Sequence, residues 1–157
     1  MGLGSWISLL KIITSNMEET LSIIKPDAVE RKLENRIKNI FLKNNFEIVK
    51  EKKVKLEKKD AEQFYKVHET KPFYNDLCNY LSSGPVLVLV LKKNNAILEN
   101  RKIMGATDPK EAELGTIRKE FGISIDKNSV HGSDSKENAE KEIDFFFKEW
   151  LKPSLLL

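Results

Sequence analysis

The chain is short of the residues that most directly announce chemistry. Its 157 residues include one cysteine and two histidines. The single thiol, Cys78, excludes an internal disulfide and suits a reducing, cytoplasmic compartment. No neighbour in sequence would lower its pKa, so it reads as a small buried hydrophobe rather than a nucleophile. No His/Cys cluster points to a transition metal. There is no GxxxxGK[ST] and no GxGxxG, so the Walker and Rossmann phosphate devices are absent. The apolar run in "MGLGSWISLLKIITSN" is too short to cross a bilayer. It lacks the positive start and cleavage residues of a signal peptide, and Trp6 stands where myristoylation needs Ser or Thr. Residues 1–16 therefore read as an extension of unknown role, and residues 17–157 as a single domain. The net charge of +3 is mild and its basic residues are scattered. That argues against a nucleic-acid or membrane partner.

What is present follows a regular order. "TLSIIK" (20–25) reads as a short strand stopped by Pro26. "AVERKLENRIKNIFLKNN" carries Val29, Leu33, Ile37, Ile40 and Phe41 at helical spacing and ends on two asparagines. "FEIVKEKKVKL" (46–56) reads as a strand, followed by helices over 60–68 and 72–83. "VLVLVL" (86–91) is continuously apolar, which predicts a strand buried on both faces. Helices can cover one face; the other predicts a second subunit. A helix over 95–105, an irregular stretch from Thr107 to Gly122, a brief strand near 129–132 and a last helix complete the chain. Asp134 with Glu137 suggests the cap of that helix. Without the extra helices the order is βαββαβ. It predicts an α+β, ferredoxin-like sandwich: a four-stranded antiparallel sheet, helices on one face, and an extra loop before the last strand.

Glycine and arginine usage point to one region. None of the seven glycines lies between Met17 and Ser83, whereas Gly105, Gly115, Gly122 and Gly132 surround the irregular stretch. Of 27 basic residues, only Arg31, Arg36, Arg101 and Arg118 are arginines. A chain this biased to lysine keeps arginine where a planar fork suits phosphate oxygens. Arg101 precedes the irregular stretch and Arg118 closes it, so the pair could grip a polyphosphate or be ordinary surface arginines. His131, in "NSVHGSDS", is a candidate nucleophile. Glu142 lies on the same side of the last helix as Ala139 and Phe146 and could orient the ring, with Ser133 as a bridge. His68 reads as surface. Lys25, ending the first strand, could contact phosphate or ribose. Phe73 is either core or a stacking platform for a base.

Together these segments resemble the nucleoside diphosphate kinase family. "NSVHGSDS" matches its catalytic signature. It is joined in order by "SIIKPDAV" (22–29), "KPFY" (71–74), "SGPVLVLVL" (83–91), "NRKIMGATDP" (100–109) and "GTIRKEFG" (115–122). The resemblance implies transfer of the terminal phosphoryl group from a nucleoside triphosphate to a nucleoside diphosphate through a phosphohistidine. His131 would be the nucleophile, oriented by Glu142 with Ser133. Arg101, Thr107 and Arg118 would hold the phosphates, and Tyr65 would sit beside the phosphoryl group near Lys25. Lys25 and Asn128 would contact the ribose. Phe73 and Ile125 would sandwich the base, with broad tolerance of bases. Mg²⁺ would be held mainly by the nucleotide, with no protein ligand, and the enzyme would be a tetramer or hexamer built from dimers. Leu114 stands where the family usually has proline. Lys32, Asn35 and Asn45 stand where the first helix usually has glycines.

Two other readings separate from this one. A nucleic-acid-binding module would need exposed aromatics on its strands, where this chain has aliphatics. A nucleotide-binding regulator without catalysis would lack part of the catalytic set, which is complete here.

Overall fold

A computed structural model describes residues 16–149. Strands β1 (Met17–Ile24), β2 (Glu47–Val54), β3 (Val86–Asn94) and β4 (Val130–Gly132) form one sheet in the order β2-β3-β1-β4. Every pairing is antiparallel. The four-stranded βαββαβ sandwich expected from the sequence is present.

The first connection is not one helix. Pro26 opens α1 (Pro26–Glu30), and α2 (Glu34–Lys43) follows after a break at Lys32, which adopts φ +59°. Two helices, α3 (Lys58–Phe64) and α4 (Tyr74–Leu81), join β2 to β3, with a 3₁₀ turn at Lys66–His68 between them. After β3 come α5 (Ala96–Met104) and α6 (Ile117–Phe121). Helix α6 lies within the stretch expected to be irregular; Thr116 caps it, accepting a hydrogen bond from the Lys119 N–H. The last helix, α7 (Lys136–Asp144), continues as a π-helical turn over Phe145–Glu149. Its cap is Ser135, whose Oγ accepts from the Asn138 N–H at 3.1 Å, and not Asp134. Asp134 instead accepts from the Asn138 side chain at 2.6 Å.

The alternation in β3 divides the core in two. Leu87, Leu89 and Leu91 pack with Ile37 and Phe41 of α2, Ala96 and Met104 of α5, and Ile117 and Phe121 of α6. Val86 and Val88 pack with Ala61, Tyr65, Cys78, Leu81, Phe145 and Phe146. The second face, for which the strand pattern predicts another subunit, is thus covered by this chain's own α3, α4 and π-turn. Phe145 and Phe146 of the π-turn are adjacent and both buried in this second layer. Removing a side chain such as Leu89, fully buried between these layers, costs about 2–5 kcal/mol.

Candidate active site

His131 sits on β4, paired with Ile23 of β1. Gly132 beside it is dictated by packing. A Cβ there would strike Met104 and come within 2.5 Å of Asn100 Nδ2, so glycine lets α5 lie directly against β4. The imidazole lies against the edges of two rings, Phe64 at 5.4 Å and Tyr65 at 6.2 Å between centroids. Its Nε2 meets Glu142 Oε1 of α7 directly. Nδ1 has no hydrogen-bond partner among the described residues. The ring keeps 21% of its side-chain surface exposed, so it is reachable from outside.

Ser133 does not bridge His131 and Glu142. It is fully buried, and its Oγ accepts from the Leu21 N–H at 3.4 Å, tying β4 to β1. The carboxylate reaches the ring without it because α7 folds back over β1.

Positive charge converges on the same end of the sheet. Lys25 is buried, and its Nζ donates to Asn128 Oδ1 at 2.9 Å. Burial first, and the nearby Arg118 second, bring its pKa down to about 8. Arg118 is also buried. Its two terminal nitrogens donate to the carbonyls of Gly105 and Val130, each at 3.0 Å, so it braces the residue before His131. Burial and the field of Arg101 lower its pKa to about 10. Arg101 is exposed on α5; its carbonyl accepts the Gly105 N–H, and its guanidinium hydrogen-bonds to nothing among the described residues. Three like charges held close together favour a polyanion. Asn128 Nδ2 donates to the Thr107 carbonyl at 3.1 Å, which ties the exposed Thr107 segment to the Lys25 pair. Tyr65 is buried, and burial followed by Glu142 pushes its pKa up, so the phenol stays protonated.

Phe73 and Ile125 are both about half exposed, at 47% and 56%. His68, expected on the surface, is half-buried between Tyr65 and Phe73, with ring centroids 6.2 and 5.8 Å away. It continues a line of rings from His131 toward Phe73, and its place at a polar helix end hid this. Sequence reading also missed Asp27, Tyr80 and Ser129, which form a buried network beneath Asn128. The only available signal was an acid in a segment that is otherwise buried.

The nucleoside diphosphate kinase family model matches residues 18–150. The chain is 56% identical over 133 residues to the nucleoside diphosphate kinase of a Nitratiruptor species, covering 85% of this chain and 97% of that one. It is 57% identical over 132 residues to that of Campylobacter jejuni, covering 84% and 96%. Among solved structures, the Aquifex aeolicus nucleoside diphosphate kinase superposes with a TM-score of 0.82 at 38% identity, over 90% of this chain and 99% of that one. The Encephalitozoon cuniculi enzyme does so at 0.80 and 38%, over 83% and 88%. The match takes in the whole sheet, its helices and every loop around His131, so the chain belongs to the nucleoside diphosphate kinase family and transfers a phosphoryl group between nucleotides.

Proposed function

We propose that His131 carries the phosphoryl group between donor and acceptor. The observation that supports this is the pairing of Nε2 with Glu142. A nitrogen facing a carboxylate holds its proton, which leaves the lone pair on Nδ1. In the first half-reaction that lone pair attacks the terminal phosphorus of the triphosphate. The bond from phosphorus to the bridging oxygen breaks, and the diphosphate leaves with its electrons. The ring becomes cationic, and Glu142 steadies it through Nε2–H. In the second half-reaction an oxygen of an incoming diphosphate attacks the same phosphorus, and the P–N bond breaks to restore neutral imidazole. Positioning and charge do the remaining work.

In this reading Arg101 and Arg118 bind the transferred group, with Thr107 on the phosphate chain and Tyr65 donating beside it. Lys25 and Asn128 hold the ribose and the bridging region. Phe73 and Ile125 sandwich the base, and because stacking reads no base edge, purines and pyrimidines are both accepted. The nucleotide enters as its magnesium complex, the ion held by the phosphates. Residues 17–157 act as one domain and residues 1–16 as an extension; the lone thiol supports a cytoplasmic setting. Membership of the family supports assembly with further copies into a tetramer or hexamer of dimers.

Incubation with ATP labelled at the terminal phosphate is expected to leave an acid-labile, base-stable label on the protein. His131→Ala removes the label while nucleotide still binds. A label that survives the substitution overturns the assignment.

A further inference from the structure

Ser129 is the centre of a three-residue turn: the Val130 N–H returns to the Asn128 carbonyl at 2.9 Å, and Ser129 has φ +73°. A γ-turn of that sign is rare and strained for a residue with a Cβ. The serine is also fully buried. Each of its polar groups is tied down. Its N–H donates to Asp27 Oδ1 at 3.3 Å, and its hydroxyl donates to Asp27 Oδ2 at 2.9 Å. Its carbonyl accepts the Lys25 N–H at 2.9 Å.

Asp27 is itself immobilised. Oδ2 accepts from Arg31 at 3.0 Å, and Oδ1 accepts from the Tyr80 hydroxyl, which in turn accepts the Asp27 N–H at 2.9 Å. Arg31 also donates to the Phe121 carbonyl at 2.7 Å. An ionised carboxylate has about four acceptor sites, and here four donors occupy them. The clamp therefore joins α1, α4, α6 and the approach to β4. The first residue of the turn is Asn128, which bridges Lys25 and Thr107; the residue after the turn is His131.

We propose that Asp27 is a positioning residue for phosphoryl transfer: it holds Ser129 in the left-handed turn that sets Asn128 against Lys25 and aims His131. This rests on the reading of His131 as the nucleophile. Asp27 touches no substrate, and its effect passes through the backbone at Ser129. Glycine at 129 needs no such clamp, because it enters the left-handed region freely.

The test is single-turnover phosphorylation of the full chain at saturating magnesium–ATP, read beside the thermal unfolding midpoint. Asp27→Asn is expected to slow phosphorylation about tenfold, since small misplacements of reacting groups are costly. Adding Ser129→Gly in that background is expected to restore the rate to within about threefold of the natural chain, because the strained turn no longer needs holding. The midpoint stays low in both variants. Wild-type speed in Asp27→Asn, or a slow Asp27→Asn that Ser129→Gly leaves slow, overturns the proposal. If Asp27→Asn does not fold, Ser129→Ala, which removes one donor from the carboxylate, carries the test: about a threefold loss is expected, and an unchanged rate overturns it. A natural chain that takes no label on His131 sinks the nucleophile assignment itself. A labelled natural chain beside an unaffected Asp27→Asn sinks only the positioning role.

Discussion

Ser129 and Lys32 turn the backbone the same unusual way, with φ of +73° and +59°, in very different surroundings. Ser129 is buried and bonded through every polar group it has. Lys32 is exposed, and its N–H makes a single bond, to the Val29 carbonyl at 2.9 Å. Around Ser129, neighbours impose the conformation, and the residues on either side belong to the proposed site. Around Lys32, the turn separates α1 from α2. Backbone strain at the first place serves positioning; at the second it is a cost in stability alone. The molecule thus divides into a site region rich in buried charge and clamped backbone, and a scaffold region whose turns are loosely optimised.

That division can be attacked by substitution. The largest effect belongs to the arginines. Arg101 is free on the surface, so Arg101→Ala is expected to lower the rate about 10²-fold with little change in unfolding midpoint. Arg118 also braces Gly105 and Val130, so Arg118→Ala should lose both rate and stability. Equal destabilisation by the two substitutions would erase the distinction.

The pH profile comes next. With Lys25 held near 8 in the free protein, kcat/KM is expected to fall above that pH, by about tenfold at pH 9. Bound phosphates favour the charged amine, so the limb in kcat lies higher. Lys25→Met should abolish the limb along with most activity. Stability runs the other way. The folded chain releases this proton near 8 and the unfolded chain near 10.5, so this group makes the fold gain stability as pH rises across that window. A kcat/KM profile flat to pH 10 contradicts the buried, charge-crowded environment.

Phe73→Ala should raise KM about fivefold for purine and pyrimidine nucleotides alike, with kcat little changed, because stacking is lost equally for each base. A selective loss for one base would mean that an edge is being read. The smallest effect is expected in the scaffold. Lys32→Gly should stabilise the chain by about 1 kcal/mol, or roughly 2–4 °C, by removing the Cβ strain, and leave phosphorylation unchanged. A change in phosphorylation there would tie the turn to the site after all.

Much of this was legible in the residues. Hydrophobic period and turn residues carried the βαββαβ order: helical spacing marked the helices, and the continuous apolar run of β3 marked a strand buried on both faces. His131 and Glu142 were legible as a pair, since helical phase put the carboxylate inward. Other features depended on tertiary partners. Helical spacing runs straight through Lys32, so the hydrophobic period carried no mark of the break between α1 and α2. The cover over Val86 and Val88 comes from α3, α4 and a π-turn whose phase cannot be read from "FFF". Asp27 is one acid among 24, and only the fold shows that Tyr80, Arg31 and Ser129 meet there. The direct contact of Glu142 with the ring, without Ser133, likewise follows from how α7 crosses β1.

The direct test is to identify which ring nitrogen of His131 holds the phosphoryl group after incubation with magnesium–ATP, using phosphorus NMR or separation of the two phosphohistidine isomers. With Nε2 committed to Glu142, the expected product carries the group on Nδ1. Finding it on Nε2, or on a residue other than His131, would contradict the account.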